Sequence, residues 1–164
     1  MKREYLVVLP IENMRVGNSY AWNDQLPLHC TIMPWFTLSP KLELNRLQHR
    51  LYLLATDVEG GYIELVSEKI EPLGKNKDVL AHMLQRNPEL EQLHDRLLDF
   101  LLEKRSPPSK HGWIGGGYRP HVTRVAEREF TTGSRLRVIK MVLLESDGER
   151  RTVCAEFYFG RIAA

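Results

Sequence analysis

No apolar run in this sequence approaches the roughly 18 residues that a membrane-spanning helix needs, so no membrane span is expected. Cysteine is scarce. Cys30 and Cys154 both fall inside strand-like runs, and a chain of 164 residues needs no covalent staple, so both are expected as reduced core thiols. Met1-Lys2-Arg3-Glu4 passes into a strand-like run without a cleavage site, which adds to the expectation of a soluble, cytoplasmic protein. Excess charge is missing as well. A net +2 cannot drive non-specific binding to long nucleic acid, so any contact with a polyanion must be local. There is no linker, low-complexity segment or tandem repeat. Residues 1–164 therefore read as one domain with one core, expected as a monomer without an obligate protein partner.

What is present is a mixture of short strands and two helices. Tyr5–Leu9 reads as a first strand, and residues 12–27 as a polar loop. A second strand runs from Leu28 through His29-Cys30-Thr31-Ile32-Met33 toward Trp35-Phe36. Ser39-Pro40 supplies a cap and an N-terminal proline for a helix with Leu44, Leu47, Leu51 and Leu54 on one face. Tyr62–Leu73 and Val79–Leu84 read as strands joined by a turn. Asn87-Pro88 then caps a second helix striped by Leu90, Leu93, Leu97 and Leu101. After a loop rich in proline and glycine come a strand at His121–Val125 and a long pair, Leu136–Glu145 and Arg151–Phe159, turned at Asp147-Gly148. Short links between such elements argue for an α+β fold rather than a doubly wound parallel sheet.

The chemistry is concentrated in two triplets, His29-Cys30-Thr31 and His121-Val122-Thr123, each opening a strand and each closely preceded by proline. Side chains alternate along a strand, so each histidine shares a face with its own threonine. If the two strands approach one another, two imidazoles and two hydroxyls converge. One neutral imidazole can take a proton from an attacking hydroxyl or water while the other, as imidazolium, protonates the leaving oxygen. The hydroxyls can donate to the non-bridging oxygens of a phosphodiester. One such triplet in a chain with six histidines means little; two on apolar strands are informative.

Leu28-His29-Cys30-Thr31-Ile32 and Arg119-Pro120-His121-Val122-Thr123, with 92 positions between the histidines, resemble the paired motifs of the 2H phosphoesterases, a family that includes 2′-5′ RNA ligase-like proteins and cyclic nucleotide phosphodiesterases. The resemblance implies a bilobal α+β fold with two antiparallel sheets flanking a central cleft and helices packed outside. It implies that His29 and His121 are the acid-base pair and that Thr31 and Thr123 bind the phosphate. It also implies a nucleotide or RNA-end substrate carrying a 2′,3′-cyclic phosphate or a 2′-5′ linkage, in RNA processing. Arg124 departs from the family pattern, and on strict alternation it faces away from the histidines.

Other residues have blander readings. His82 is expected as a hydrogen-bonded core or edge residue, and His94 on a solvated helix face; His49 and His111 are ordinary. None has zinc-site spacing with the two cysteines, so neither a metal nor any other cofactor is expected. Gly115-Gly116-Gly117 lacks the Gly-Lys-Ser/Thr ending of a P-loop and is expected to serve flexibility. Trp113, Tyr118, Tyr20 and Trp22 could stack a base, and Lys110, Arg119 and Arg128 could meet its phosphates, with Trp113, Tyr118 and Arg119 the substrate-binding candidates nearest the second triplet. The principal alternative to an enzyme is a nucleotide- or RNA-binding module of the same fold, for which a proton donor and acceptor would be superfluous. A purely structural or protein-interaction domain would leave the paired histidines coincidental.

Overall fold

The computed structural model describes residues 2–74, 76–109, 114–124 and 131–160. Among these, nine strands and two helices follow in the order β1 (Glu4–Pro10), β2 (Ser19–Ala21), β3 (His29–Thr37), α1 (Leu44–Thr56), β4 (Ile63–Leu73), β5 (Val79–Leu84), α2 (Pro88–Glu103), β6 (His121–Thr123), β7 (Arg135–Val138), β8 (Lys140–Ser146) and β9 (Arg150–Tyr158). The described strand pairs are all antiparallel, in the spatial order β2-β9-β8-β1-β3-β6-β5-β4-β7. The two sheets expected from the motifs are thus two lobes of one curled sheet, joined where β3 meets β6 through the pair Cys30 and Val122.

β1 explains how the sheet is covered on both sides. Its apolar run alternates between two clusters: Tyr5, Val7 and Leu9 enter the main core, while Leu6 and Val8 enter a smaller one with Val142, Leu144, Val153 and Met14. The main core takes the leucine stripes of both helices, with α1 against β9 and α2 against β3. The smaller cluster lies on the opposite face, with Tyr20, Leu26 and Trp35 packed against it. None of the helices among the described residues is long and apolar enough to cross a membrane.

Three local expectations change. α2 begins as its sequence indicates, with the Asn87 side chain accepting from the Glu89 and Leu90 amides. The first helix does not begin at Ser39-Pro40. There the Leu42 amide donates back to the Ser39 carbonyl, making a separate turn, and the Ser39 hydroxyl is occupied with the Lys104 carbonyl; α1 starts only at Leu44. The long strand over 136–145 is divided at Ile139, so that β7 pairs with β4 in one lobe and β8 with β1 and β9 in the other. Within the 12–27 loop, residues 19–21 form β2 on the β9 edge.

His94 is a fourth correction. It is fully buried rather than on a solvated face. Its Nδ1 lies 2.7 Å from the Ile32 carbonyl and donates to it; its Nε2 accepts from the Gly115 amide at 2.9 Å. Its ring stacks on Tyr118 at 3.9 Å. The glycine run is accordingly a fixed 3₁₀ turn, with Gly115 at φ +57, and β3 is tied to the segment that leads into β6. Burial holds the His94 pKa below its ordinary 6.5, although the Ile32 carbonyl and Asp95 act the other way. The neutral ring's contribution is therefore present above pH 6.5 and lost as pH falls through the depressed folded value. His94→Leu should cost about 2 to 4 kcal/mol, since it strands one donor and one acceptor and removes the stack. In chemical denaturation at several pH values, the gap between parent and variant should shrink below pH 6.5.

Candidate active site

The register at the β3–β6 seam fixes the site. Cys30 and Val122 are directly opposed and both fully buried on the helical side. By alternation, His29, Thr31, His121 and Thr123 all point to the other face. Antiparallel counting from the same pair sets His29 opposite Thr123 and Thr31 opposite His121. Directly opposed side chains have Cβ atoms about 4.5 to 5.5 Å apart and diagonal ones about 7 to 8 Å. The four groups thus form a small square with the imidazoles on one diagonal, wide enough for a phosphate between them.

Each imidazole is oriented by the same device. His29 Nδ1 is 2.7 Å from the Pro27 carbonyl, and His121 Nδ1 is 2.8 Å from the Arg119 carbonyl; in both, the acceptor lies two residues back along the chain. A carbonyl can only accept, so Nδ1 carries a proton in each ring, and Nε2 is the nitrogen that changes protonation state. Burial lowers the pKa of both rings. For His29 the Pro27 carbonyl opposes that shift while the charges of His121 and Arg151 reinforce it; for His121 the Arg119 carbonyl opposes it and the Arg119 charge reinforces it. The effect of the His121 charge on His29 is consistent with their shared face.

Two recesses open on either side of the square and meet at Thr123. One, of about 180 Å³, is lined by Leu26, Pro27, His29, Thr123 and Arg151. The other, of about 320 Å³, runs from Thr31, Tyr118 and His121 along Pro34, Leu73 and Val79. Arg119 lines the second recess and pairs with Glu71 at 2.6 Å. Tyr118 also lines it, but its hydroxyl donates to the Thr31 carbonyl at 2.8 Å and one face of its ring is taken by His94, so it braces β3. Trp113, with Lys110, His111 and Arg128, lies outside the described residues. Arg124 is exposed beyond the end of β6, and its amide donates to the Leu80 carbonyl. His82 is buried in the sheet, with Nδ1 3.1 Å from the Ser67 hydroxyl, as expected of a hydrogen-bonded core residue. Cys30 and Cys154 are free thiols; burial pushes Cys30 up to about 12, which leaves it protonated and inert. Among the described residues, no three histidine, cysteine or carboxylate side chains group as metal ligands would.

Two residues at this site were not indicated by sequence reasoning. His94 looked like a surface residue because it follows a core leucine by one position, yet the helix packs closely enough on β3 to bury it. Arg151 stands two positions before Val153, and so on the apolar face of β9; an arginine at that phase was the available signal.

An α+β chain whose curled antiparallel sheet carries two His-x-Thr triplets at the seam of its lobes, with two helices on the opposite face, has the 2H phosphoesterase-like fold that the motifs implied. No protein-family model and no curated protein sequence matches the chain, but solved structures match it over nearly its full length. Among them are a phosphoesterase (TM-score 0.60, 16% identity, 98% of this chain and 100% of the other) and E. coli LigT complexed with 3′-AMP (TM-score 0.57, 16% identity, 98% of each). A protein of Thermus thermophilus aligns with TM-score 0.54 and 18% identity, over 99% of this chain and 100% of its own. At such identities the likeness establishes the fold.

The carbonyl tethers predict one tautomer for both rings. Nitrogen-15 spectra at neutral pH should show His29 and His121 as Nδ1–H imidazoles with unprotonated Nε2, and their titration midpoints should lie below the ordinary 6.5. A predominant Nε2–H form at either position would contradict the tethers.

Proposed function

We propose that this protein is a metal-independent phosphoesterase acting on the phosphodiester of a nucleotide or RNA end, a 2′,3′-cyclic phosphate or a 2′-5′ linkage, with His29 and His121 as the acid-base pair. The observation that carries this reading is the matched pair of Nδ1 tethers, which leaves two reactive Nε2 atoms on one face together with two threonine hydroxyls. The structures of LigT that the fold resembles include complexes with phosphate, 3′-AMP, ATP and NADP+, all phosphate or phosphate-bearing nucleotides, which supports a ligand of this class.

In hydrolysis of a cyclic phosphate, one neutral Nε2 takes a proton from water as its oxygen bonds to phosphorus. The opposite Nε2–H gives its proton to the ribose oxygen as the old P–O bond breaks. Charge accumulates on the non-bridging oxygens, where Thr31 and Thr123 can donate hydrogen bonds. No adenylation chemistry is legible in the chain, so joining of ends would run as the reverse of transfer. A soluble, cytoplasmic, monomeric enzyme is the setting this reading assumes.

His29→Ala and His121→Ala should each lower turnover by a factor of about 10² to 10⁴ on whichever phosphodiester a phosphorus NMR panel identifies, with ligand binding largely kept. Thr31→Ala and Thr123→Ala should cost less, because water can replace a deleted hydroxyl in part. Near-parent turnover in both histidine variants, with the fold intact, would leave the binding module standing.

The pH profile of kcat/KM should be bell-shaped, since one ring must be neutral and the other protonated. Both pKa values are depressed in the free protein, so the bell should centre on the acid side of 6.5.

Activity should survive excess chelator. Turnover lost in chelator and restored by a divalent cation would refute the metal-independent mechanism.

A further inference from the structure

Arg151 is only 7% exposed, yet it has no carboxylate partner: among the described residues no acidic oxygen comes within ion-pair distance, and the Asp24 charge reaches it only through space. The two hydrogen bonds it makes both leave through Nη2, to the uncharged carbonyls of Ala21 and Asp24. Its Nε is buried without any acceptor. The guanidinium carbon stands 5.0 Å from the Trp22 ring centre, and Trp22 is itself packed on Trp35 at 5.5 Å. The cation is therefore held by loop and aromatic contacts that orient it without a direct ion pair. It lines the 180 Å³ recess together with His29 and Thr123, close enough for its charge to oppose protonation of His29.

A buried charge with no ion-pair partner among the described residues is an arrangement that an anionic ligand can complete. A guanidinium adds planar, forked donors that match phosphate oxygens. Arg119, which lines the second recess, already has Glu71 as counter-ion. We propose that Arg151 is an anion-binding residue of this site, taking a non-bridging oxygen of the phosphodiester held between His29 and Thr123. The assignment of that anion rests on the phosphoesterase reading; the capacity to bind phosphate does not.

Inorganic phosphate is the probe, titrated by calorimetry at fixed low ionic strength into the parent, Arg151→Gln and Arg151→Lys. Loss of a charge-assisted contact should weaken phosphate binding by about tenfold to a hundredfold in Arg151→Gln. Arg151→Lys, which keeps the charge without the fork, should recover most of it. The His29 titration midpoint, read by NMR, should rise in Arg151→Gln and stay near the parent's in Arg151→Lys, a response that a purely structural anchor for the loop would not give. Substrate kcat/KM should fall in step with phosphate affinity. A folded Arg151→Gln protein that binds phosphate as the parent does overturns the proposal. Should that variant fail to fold, the parent decides: its Arg151 Nε–H resonance, assigned by its absence in Arg151→Lys, must move on phosphate titration, and an unmoved resonance overturns the proposal. If the parent turns over no phosphodiester while phosphate binding still depends on Arg151, the enzymatic reading fails and the anion site stands.

Discussion

Where β3 meets β6, Cys30 lies opposite Val122 with both side chains out of water on the helical side of the sheet, and every feature of the cleft depends on that register. A slip of one residue in either strand would reverse the facing of all its side chains. It would drive a histidine and a threonine into an apolar core and bring a thiol or an isopropyl group to the cleft. Burial of these two apolar residues is thus what orients four polar ones. The neighbours hold the same choice: Leu9 pairs with Cys30 on β1, and His82 with Val122 on β5. The adjoining strands carry most of the pairing, because β6 has only three residues to contribute.

Register places the imidazoles, but their chemistry depends on the carbonyls behind them. A histidine free to choose its tautomer would present either nitrogen to the cleft. The Pro27 and Arg119 carbonyls remove that freedom, each from two residues back along the chain. The bond has an opposite effect on charge. A carbonyl favours the imidazolium, while burial favours the neutral ring and acts more strongly in both residues. His94 supports this geometry from below, since it holds the Ile32 carbonyl with one nitrogen and Gly115 with the other, spanning the two segments that must stay aligned.

Period-two and period-3.6 patterns made most of this fold readable. Alternation in His29-Cys30-Thr31 and His121-Val122-Thr123 already sets which side chains share a face, and Asn87-Pro88 marks the start of α2 as the structure has it. What a single sequence could not supply was pairing between distant segments. The division of residues 135–146 at Ile139 has no turn signal, because neither glycine nor proline interrupts Arg135–Ser146; it shows in the pairing, with β7 on β4 and β8 on β1. Ser39-Pro40 carries a helix-start signature that Lys104 and Ser106 divert into a turn, from 65 and 67 positions away. His94 and Arg151 fall to the same limit, since the burial of each is decided by elements remote in sequence.

Arg119 and Arg151 show why proximity in sequence is a poor guide to the electrostatics of a recess. Arg119 stands two residues before His121 and is half exposed, but Glu71 already neutralises it, so an anion there must displace or share an existing partner. Arg151 is 30 positions beyond His121 and buried, with its hydrogen bonds spent on carbonyls that leave its charge intact. In water such a difference would count for little, because screening weakens both charges. In a recess walled partly by Leu26, Pro27 and Leu28, a charge without an ion-pair partner is less screened than it would be in water. Among the described residues, the cleft thus has a cation without an ion-pair partner on the His29 side, and on the His121 side the Arg119–Glu71 pair with an apolar wall of Pro34, Leu73 and Val79.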